Sequence, residues 1–250
     1  MIIFNSIDCL AEYNVYDSSQ FGGYTPLKWN IDALREKQHE IARKVTLTNH
    51  LPEWNLLRTV GGADVSFNRF SKIGFAAIVV LSLPDLQVIE TSSVEQRLEL
   101  PYIPGYLAFR EWPFIHQCLK NLSIRPQALI CDGHGIAHPR RAGLASHVGV
   151  EEDIITIGCA KSVFVGEYME PDSQRGSISN LILKEEKIGE VVRTKNNVKP
   201  LFISPGHKID FHTATQLILS LCRRYRLPEP IREAHALVNR IRIEHICRVE

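Results

Sequence analysis

Apolar and polar positions alternate along this chain with two periods, and the switches between them outline the fold. From Lys28 to Leu47 the period is helical: Ile31, Leu34, Ile41 and Val45 fall near one face, with charges on the other, until Asn49, His50 and Pro52 end the run. Strand text follows. Thr59 to Phe67 carries Val60, Val65 and Phe67; Ile73 to Leu83 is β-branched and almost continuously apolar, as a strand buried on both faces is. Leu86 to Val94 comes after a short Pro84-Asp85 turn, so it should pair antiparallel with the strand before it. These three predict a meander that opens a sheet.

The style then changes. Pro101-Tyr102-Ile103-Pro104-Gly105 reads as a stiff loop, followed by a helix from about Tyr106 to Asn121 interrupted near Pro113. Ala128 to Cys131 is a short strand running into Asp132-Gly133-His134-Gly135, and Pro139 is suited to the first turn of a further helix. Ile154 to Gly158 reads as a strand, 178–194 as a hairpin, Leu201 to Ile203 as a last strand, and about 210–225 and 229–247 as closing helices. Antiparallel strands first, then helix–strand alternation, predict a single α/β domain: a mixed sheet flanked by helices. Ser18, Ser19, Gly22, Gly23 and Pro26 punctuate the front, so residues 1–25 are expected to be an irregular extension of a domain spanning 26–250.

Composition removes several classes of protein. The 250 residues are 44% hydrophobic and 23% charged, which excludes collagen, coiled coil and disordered chains. The longest apolar run, Gly74 to Leu83, is about half the roughly 18 residues a membrane helix needs. With Asp8 and Glu12 near the start and no basic opening segment, a cytoplasmic or nuclear location is expected, with no membrane partner. The six cysteines form no CxxC pair and mostly sit in apolar runs, which argues against zinc or a disulfide framework. The formal charge is only +1, but residues 193–250 hold 11 Lys/Arg against 5 Asp/Glu, while 61–192 hold 12 against 16. A basic tail beside an acidic middle suits a polyanion held over a metal site; a solvated helix surface gives the same count.

Three carboxylates stand out. Asp64 lies inside an apolar strand, Asp132 ends another, and Glu111 sits on the helix after the Pro-rich loop. An unpaired buried carboxylate is costly, so each must be protonated, hydrogen-bonded or facing a cation. If the two strands are neighbours, Asp64 and Asp132 meet, and a divalent cation would hold them together. Hard oxygen ligands favour Mg²⁺ or Mn²⁺. Capping a bulge or a turn remains the alternative for either aspartate alone. His138 and Lys161 also follow strand ends; a helix cap and plain surface are their alternatives. Asp210 fits the N-cap of the helix after Ser204-Pro205-Gly206-His207, with a further acid as the other reading.

In order along the chain stand Gly61-Gly62-Ala63-Asp64-Val65-Ser66-Phe67, Pro101 to Glu111, Asp132-Gly133-His134-Gly135-Ile136-Ala137-His138-Pro139-Arg140, Ile157 to Lys161, Ser204 to His207 and Arg232-Glu233-Ala234-His235. Together, from about residue 28 to 245, they resemble the endonuclease V family of deoxyinosine 3′ endonucleases. That resemblance implies an RNase H-like fold and Mg²⁺-dependent hydrolysis, with Mn²⁺ able to substitute, of the second phosphodiester bond 3′ to deoxyinosine in DNA. It implies Asp64, Asp132 and Glu111 as metal ligands, His138 and Lys161 near the scissile phosphate, and Tyr102, within Pro101, Ile103, Pro104 and Gly105, as a wedge entering the duplex. His134, Gly135 and His235 are expected on the nucleic-acid side. The partner is expected to be DNA containing deoxyinosine, acted on by a monomer; inosine in RNA, or a non-catalytic inosine-binding module, are the competing readings.

Overall fold

A computed structural model of the chain describes residues 30–67 and 72–249. They form α1 (Ile31–Lys44), β1 (Thr59–Phe67), β2 (Ile73–Ser82), β3 (Val88–Arg97), α2 (Leu107–Asn121), β4 (Ala128–Cys131), α3 (Leu144–Glu152), β5 (Ile155–Ala160), β6 (Ile178–Leu183), β7 (Glu186–Val192), β8 (Leu201–His207), α4 (Phe211–Leu221) and α5 (Glu229–Val249). The strands make one eight-stranded sheet in the order β3-β2-β1-β4-β5-β8-β7-β6. The expected meander is present, since β1, β2 and β3 pair antiparallel. The sheet centre is parallel, β1 with β4 and β4 with β5, and the far half returns to antiparallel pairing.

The period-two pattern explains the layers. On one face Val79, Leu81 and Ile130 meet Leu217 and Ile218 of α4 and Ile231 and Ala234 of α5. On the other, Ile78, Val80, Leu129 and Cys131 meet Phe114 and Ile115 of α2 and Leu144 and Val148 of α3. A strand between two helix layers has no polar face, hence the near-continuous apolar text of β2 and β4. Cys118, Cys131, Cys159 and Cys222 are free and buried, as expected of small hydrophobes, and Cys247 is exposed.

Local expectations needed three corrections. Helix α2 runs unbroken through Pro113, which lies on its exposed side, while Ala108, Glu111, Phe114, Ile115, Cys118 and Leu119 stay buried. One lost backbone bond is outweighed by that packed stripe. Pro139 starts no helix. The amides that would build one are used elsewhere: Gly143 N–H bonds Gly135 O and Ala145 N–H bonds His134 O, and α3 starts only after Gly143. Helix α1 ends at Lys44, short of Leu47, because the following chain joins β8: Thr46 N–H donates to His207 Nδ1 and Lys208 N–H to Thr46 O. The extension expected over 1–25 lies outside the described residues.

Candidate active site

Parallel register brings the two aspartates together. Ala63 pairs with Cys131, and Asp132 N–H donates to Ala63 O at 3.1 Å, so Asp64 on β1 and Asp132 just past β4 stand side by side. One carboxylate oxygen from each and a ring nitrogen of His235 on α5 lie within 4.8 Å of one another. Both oxygens of Asp64 are held, Oδ1 by Val65 N–H at 2.9 Å and Oδ2 by His235 Nδ1 at 2.7 Å. Asn239 Nδ2 donates to His235 Nε2 at 3.0 Å, which leaves the ring proton on Nδ1, facing Asp64. Lys161, just past β5, reaches Asp132 Oδ2 in a short ion pair.

Glu111 enters from α2 and is buried. Burial first, then the negative Asp64 and Asp132, raises its carboxyl well above the usual range, against a smaller opposing effect of Arg110. Burial and Asp132 likewise raise Asp64, with His235 and Lys161 opposing. Two desolvated acids, both pushed toward protonation by the charge of Asp132 and Glu111 by that of Asp64 as well, fit a divalent cation, which would reverse the sign of that interaction. The donor set is oxygen-rich, as magnesium prefers. Asp64 and Asp132 are placed to hold such an ion. Glu111 lies outside the 4.8 Å group and faces it from behind, and His235 orients Asp64.

Beside the acids opens a cavity of about 240 Å³, lined among others by Tyr102, Leu107, Glu111, His134, Ser162 and Phe164. Glu111 therefore belongs to both the acid group and the cavity wall. Tyr102 is 61% exposed at the cavity mouth, between exposed Pro101 and Pro104 and half-buried Ile103. The loop's last carbonyl, Gly105 O, takes donors from Gln38 Nε2 (2.8 Å), His138 Nε2 (3.1 Å) and Arg140 (3.0 Å). Gly105 has φ +79°, a conformation that suits glycine.

The other expected residues divide. His138 is buried and has no nitrogen free for a phosphate: Nδ1 accepts Arg140 N–H and Nε2 donates to Gly105 O. Burial, then Arg140, pushes its pKa down to about 3, so it is a neutral tether of the Tyr102 loop. His134 lines the cavity, its ring 6.1 Å from that of Phe164, and burial lowers it to about 4. Gly135 sits behind that wall, where its amide donates to Ser204 Oγ at 2.8 Å. Asp210 caps α4 through Thr213 N and Oγ1, each at 2.8 Å, away from the acids. Sequence reasoning missed Gln38 and Asn239, and the cavity residues Leu107, Ser162 and Phe164. Only their neighbourhood to Lys161 and to the Pro-rich loop hinted at the last three.

The geometry has known counterparts. A family model, Endonuclease V, matches residues 39–236. The endonuclease V of Dictyoglomus thermophilum is 48% identical over 198 residues, covering 79% of this chain and 85% of that protein. The crystal structure of the Streptomyces avermitilis endonuclease V shares 37% identity, with a TM-score of 0.81 over 86% of this chain and 94% of that one. The Ciona intestinalis endonuclease V, solved in complex with a DNA containing an inosine followed by a ribo-adenosine, is 29% identical with a TM-score of 0.76 over 88% of this chain and 99% of that one. The sheet with its two helix layers is the RNase H-like fold of these structures, and the chain belongs to the endonuclease V family.

Proposed function

We propose that this protein is a Mg²⁺-dependent endonuclease that recognises deoxyinosine in DNA and hydrolyses the second phosphodiester bond on its 3′ side. The observation that carries the reading is the shared wall: Glu111 borders both the Asp64–Asp132 pair and the cavity that Tyr102 fronts. An ion-holding centre and a base-sized pocket thus lie within one strand's reach of each other. Hypoxanthine is weakly paired, so drawing it from the stack costs least, a few kcal/mol. Tyr102, stiffened by Pro101 and Pro104, stacks where the base has left. His134, neutral through burial, gives the pocket an uncharged polar wall for an uncharged base.

A divalent cation bound by Asp64 and Asp132 supplies an activated water and charge neutralisation at the phosphate. The chain's own groups arrange this. His235 fixes Asp64, Lys161 fixes Asp132 and adds positive charge beside the scissile group, and Glu111 closes the site behind them. An inosine-containing duplex incubated with Mg²⁺ should be nicked once, on the 3′ side. Asp132→Ala should abolish nicking while inosine-dependent binding survives. An Asp132→Ala protein that cuts at the parent rate would overturn the assignment.

A second reading, inosine in RNA as the main substrate, is favoured by the ribo-adenosine beside inosine in the Ciona intestinalis complex. Matched DNA and RNA strands bearing one inosine separate the two, because contact with a 2′-hydroxyl is the physical difference.

A further inference from the structure

Cations on several surfaces of this protein are paired with carboxylates: Lys44 with Glu40, Lys37 with Glu151, Arg141 with Glu186, Lys208 with Asp153. One surface gathers four exposed cations that lack such a pair among the described residues, Lys195, Lys199, Arg223 and Arg224. Between Arg193 and Pro228 the chain has seven Lys/Arg and a single acid, Asp210, which caps α4. The β7–β8 connection (193–200) and the α4–α5 connection (222–228) come together there; buried Arg193 pairs with Glu170 at 2.8 Å, and the hydrogen bonds of Lys195, Arg223 and Arg226 go to carbonyls. Lys195 Nζ donates to Arg224 O at 3.1 Å, and Arg223 to Pro84 O. Nearby, Arg175 donates to Leu219 O at 2.7 Å. A carbonyl satisfies a donor and leaves its charge uncompensated. Exposed Lys199 and Arg224 have no carboxylate partner among the described residues, and the bordering acids Glu229 and Glu233 are taken up by Arg232. Tyr225, 49% exposed, stands between Arg224 and Arg226.

This surface is continuous with the acid pair. Arg226 spans both connections and the end of β5, donating to Lys199 O and Pro200 O, each at 2.7 Å, and to Lys161 O at 3.0 Å, while Lys161 holds Asp132. We propose that the surface carrying Lys195, Lys199, Arg223 and Arg224 holds the phosphate backbone of the nucleic-acid strand where it leaves the scissile bond past Lys161. Uncompensated positive charge with one exposed aromatic ring, running from the hydrolytic centre, is the footprint of a nucleic-acid strand. The inference rests on the proposed function for the identity of the strand.

The test removes three cations that touch neither the acids nor the cavity, as Lys195→Gln, Lys199→Gln and Arg224→Gln together. Affinity for a plain duplex and for an inosine-containing duplex of equal length is measured against salt without divalent cation. Each phosphate contact contributes a slope of about 0.9 in log K against log salt, so the variant should be shallower by about 2 to 3 on both duplexes and about tenfold weaker at low salt. Single-turnover nicking at saturating protein should be unchanged. An unchanged salt slope would overturn the proposal and leave the surface to an acidic protein partner. The binding arms do not depend on cleavage: a parent without inosine preference would sink the proposed function, while the slope difference on plain DNA would still decide the role of this surface.

Discussion

His138 donates its Nε2 proton to the carbonyl of Gly105, 3.1 Å away, and so ties the Asp132 turn to the loop that carries Tyr102. The same carbonyl receives Gln38 and Arg140, so three segments distant in sequence converge on one atom. With both nitrogens engaged and its pKa near 3, His138 acts on the loop's position, with no proton to exchange near neutral pH. His138→Gln should therefore lower the preference for inosine over plain DNA by about fivefold, the size of one net hydrogen bond near 1 kcal/mol. Its pH–rate profile between pH 5.5 and 8 should superimpose on the parent's. A profile that loses an acidic limb would make His138 a proton-transfer group and refute the tether.

Tyr102 is the complementary case, an exposed residue of the same loop at the cavity mouth. Its ring is 61% exposed, and base–aromatic stacking is worth about 1–3 kcal/mol. Tyr102→Ala should reduce the inosine preference roughly tenfold or more, leave the melting temperature unchanged, and alter the single-turnover rate at saturating enzyme far less. Equal losses on inosine-containing and plain DNA would argue that the ring serves general binding.

What was legible in the sequence followed from local pattern. The almost uninterrupted apolar text of β2 marked a strand buried on both faces, and an aspartate inside one apolar strand and one ending another made the Asp64–Asp132 pair conditional on the two strands being neighbours, which the register of β1 and β4 meets. The segment from His138 to Gly143 was read as a helix start because Pro139 fits one. Its last amide, Gly143 N–H, instead bonds Gly135 O, a partner no local pattern encodes. His235 stands 171 positions from Asp64, and Gln38 67 positions from Gly105, so their roles emerge only once the sheet and α5 are assembled.

Gly158 shows how tightly the acid turn is seated. A Cβ there would lie 2.3 Å from Gly135 N and 2.6 Å from His134 C, both backbone atoms with no flexible end to move. Gly158→Ala must push the Asp132–Gly135 turn off β5, and overpacking of this kind costs about 1–3 kcal/mol. The expected result is a melting temperature lower by about 3–10 °C, with a fall in the single-turnover rate because Asp132 moves with the turn. A variant as stable and as active as the parent would show that β5 yields in place of the turn.

His147 gives a pH test of the fold. It is 2% exposed on α3, its ring 4.9 Å from Phe109 and 5.4 Å from Trp112, and burial, with Lys37 adding to it, lowers its pKa to about 3. Unfolded, the same side chain titrates near 6.5. Between those values the unfolded chain binds a proton that the folded chain refuses, so stability rises with pH. The contribution is complete above about pH 6.5 and is lost as pH falls toward 3, at about 1.4 kcal/mol per pH unit. His147→Phe keeps a ring in the slot and removes the titration, and carboxylates such as Glu111, whose raised pKa acts in the opposite direction, cancel between parent and variant. Urea unfolding at pH 7, 6 and 5 should show the variant gaining on the parent by about 2 kcal/mol over that interval. A stability difference independent of pH would mean that the folded protein protonates His147 as readily as the unfolded chain does, and that α2 and α3 open around it.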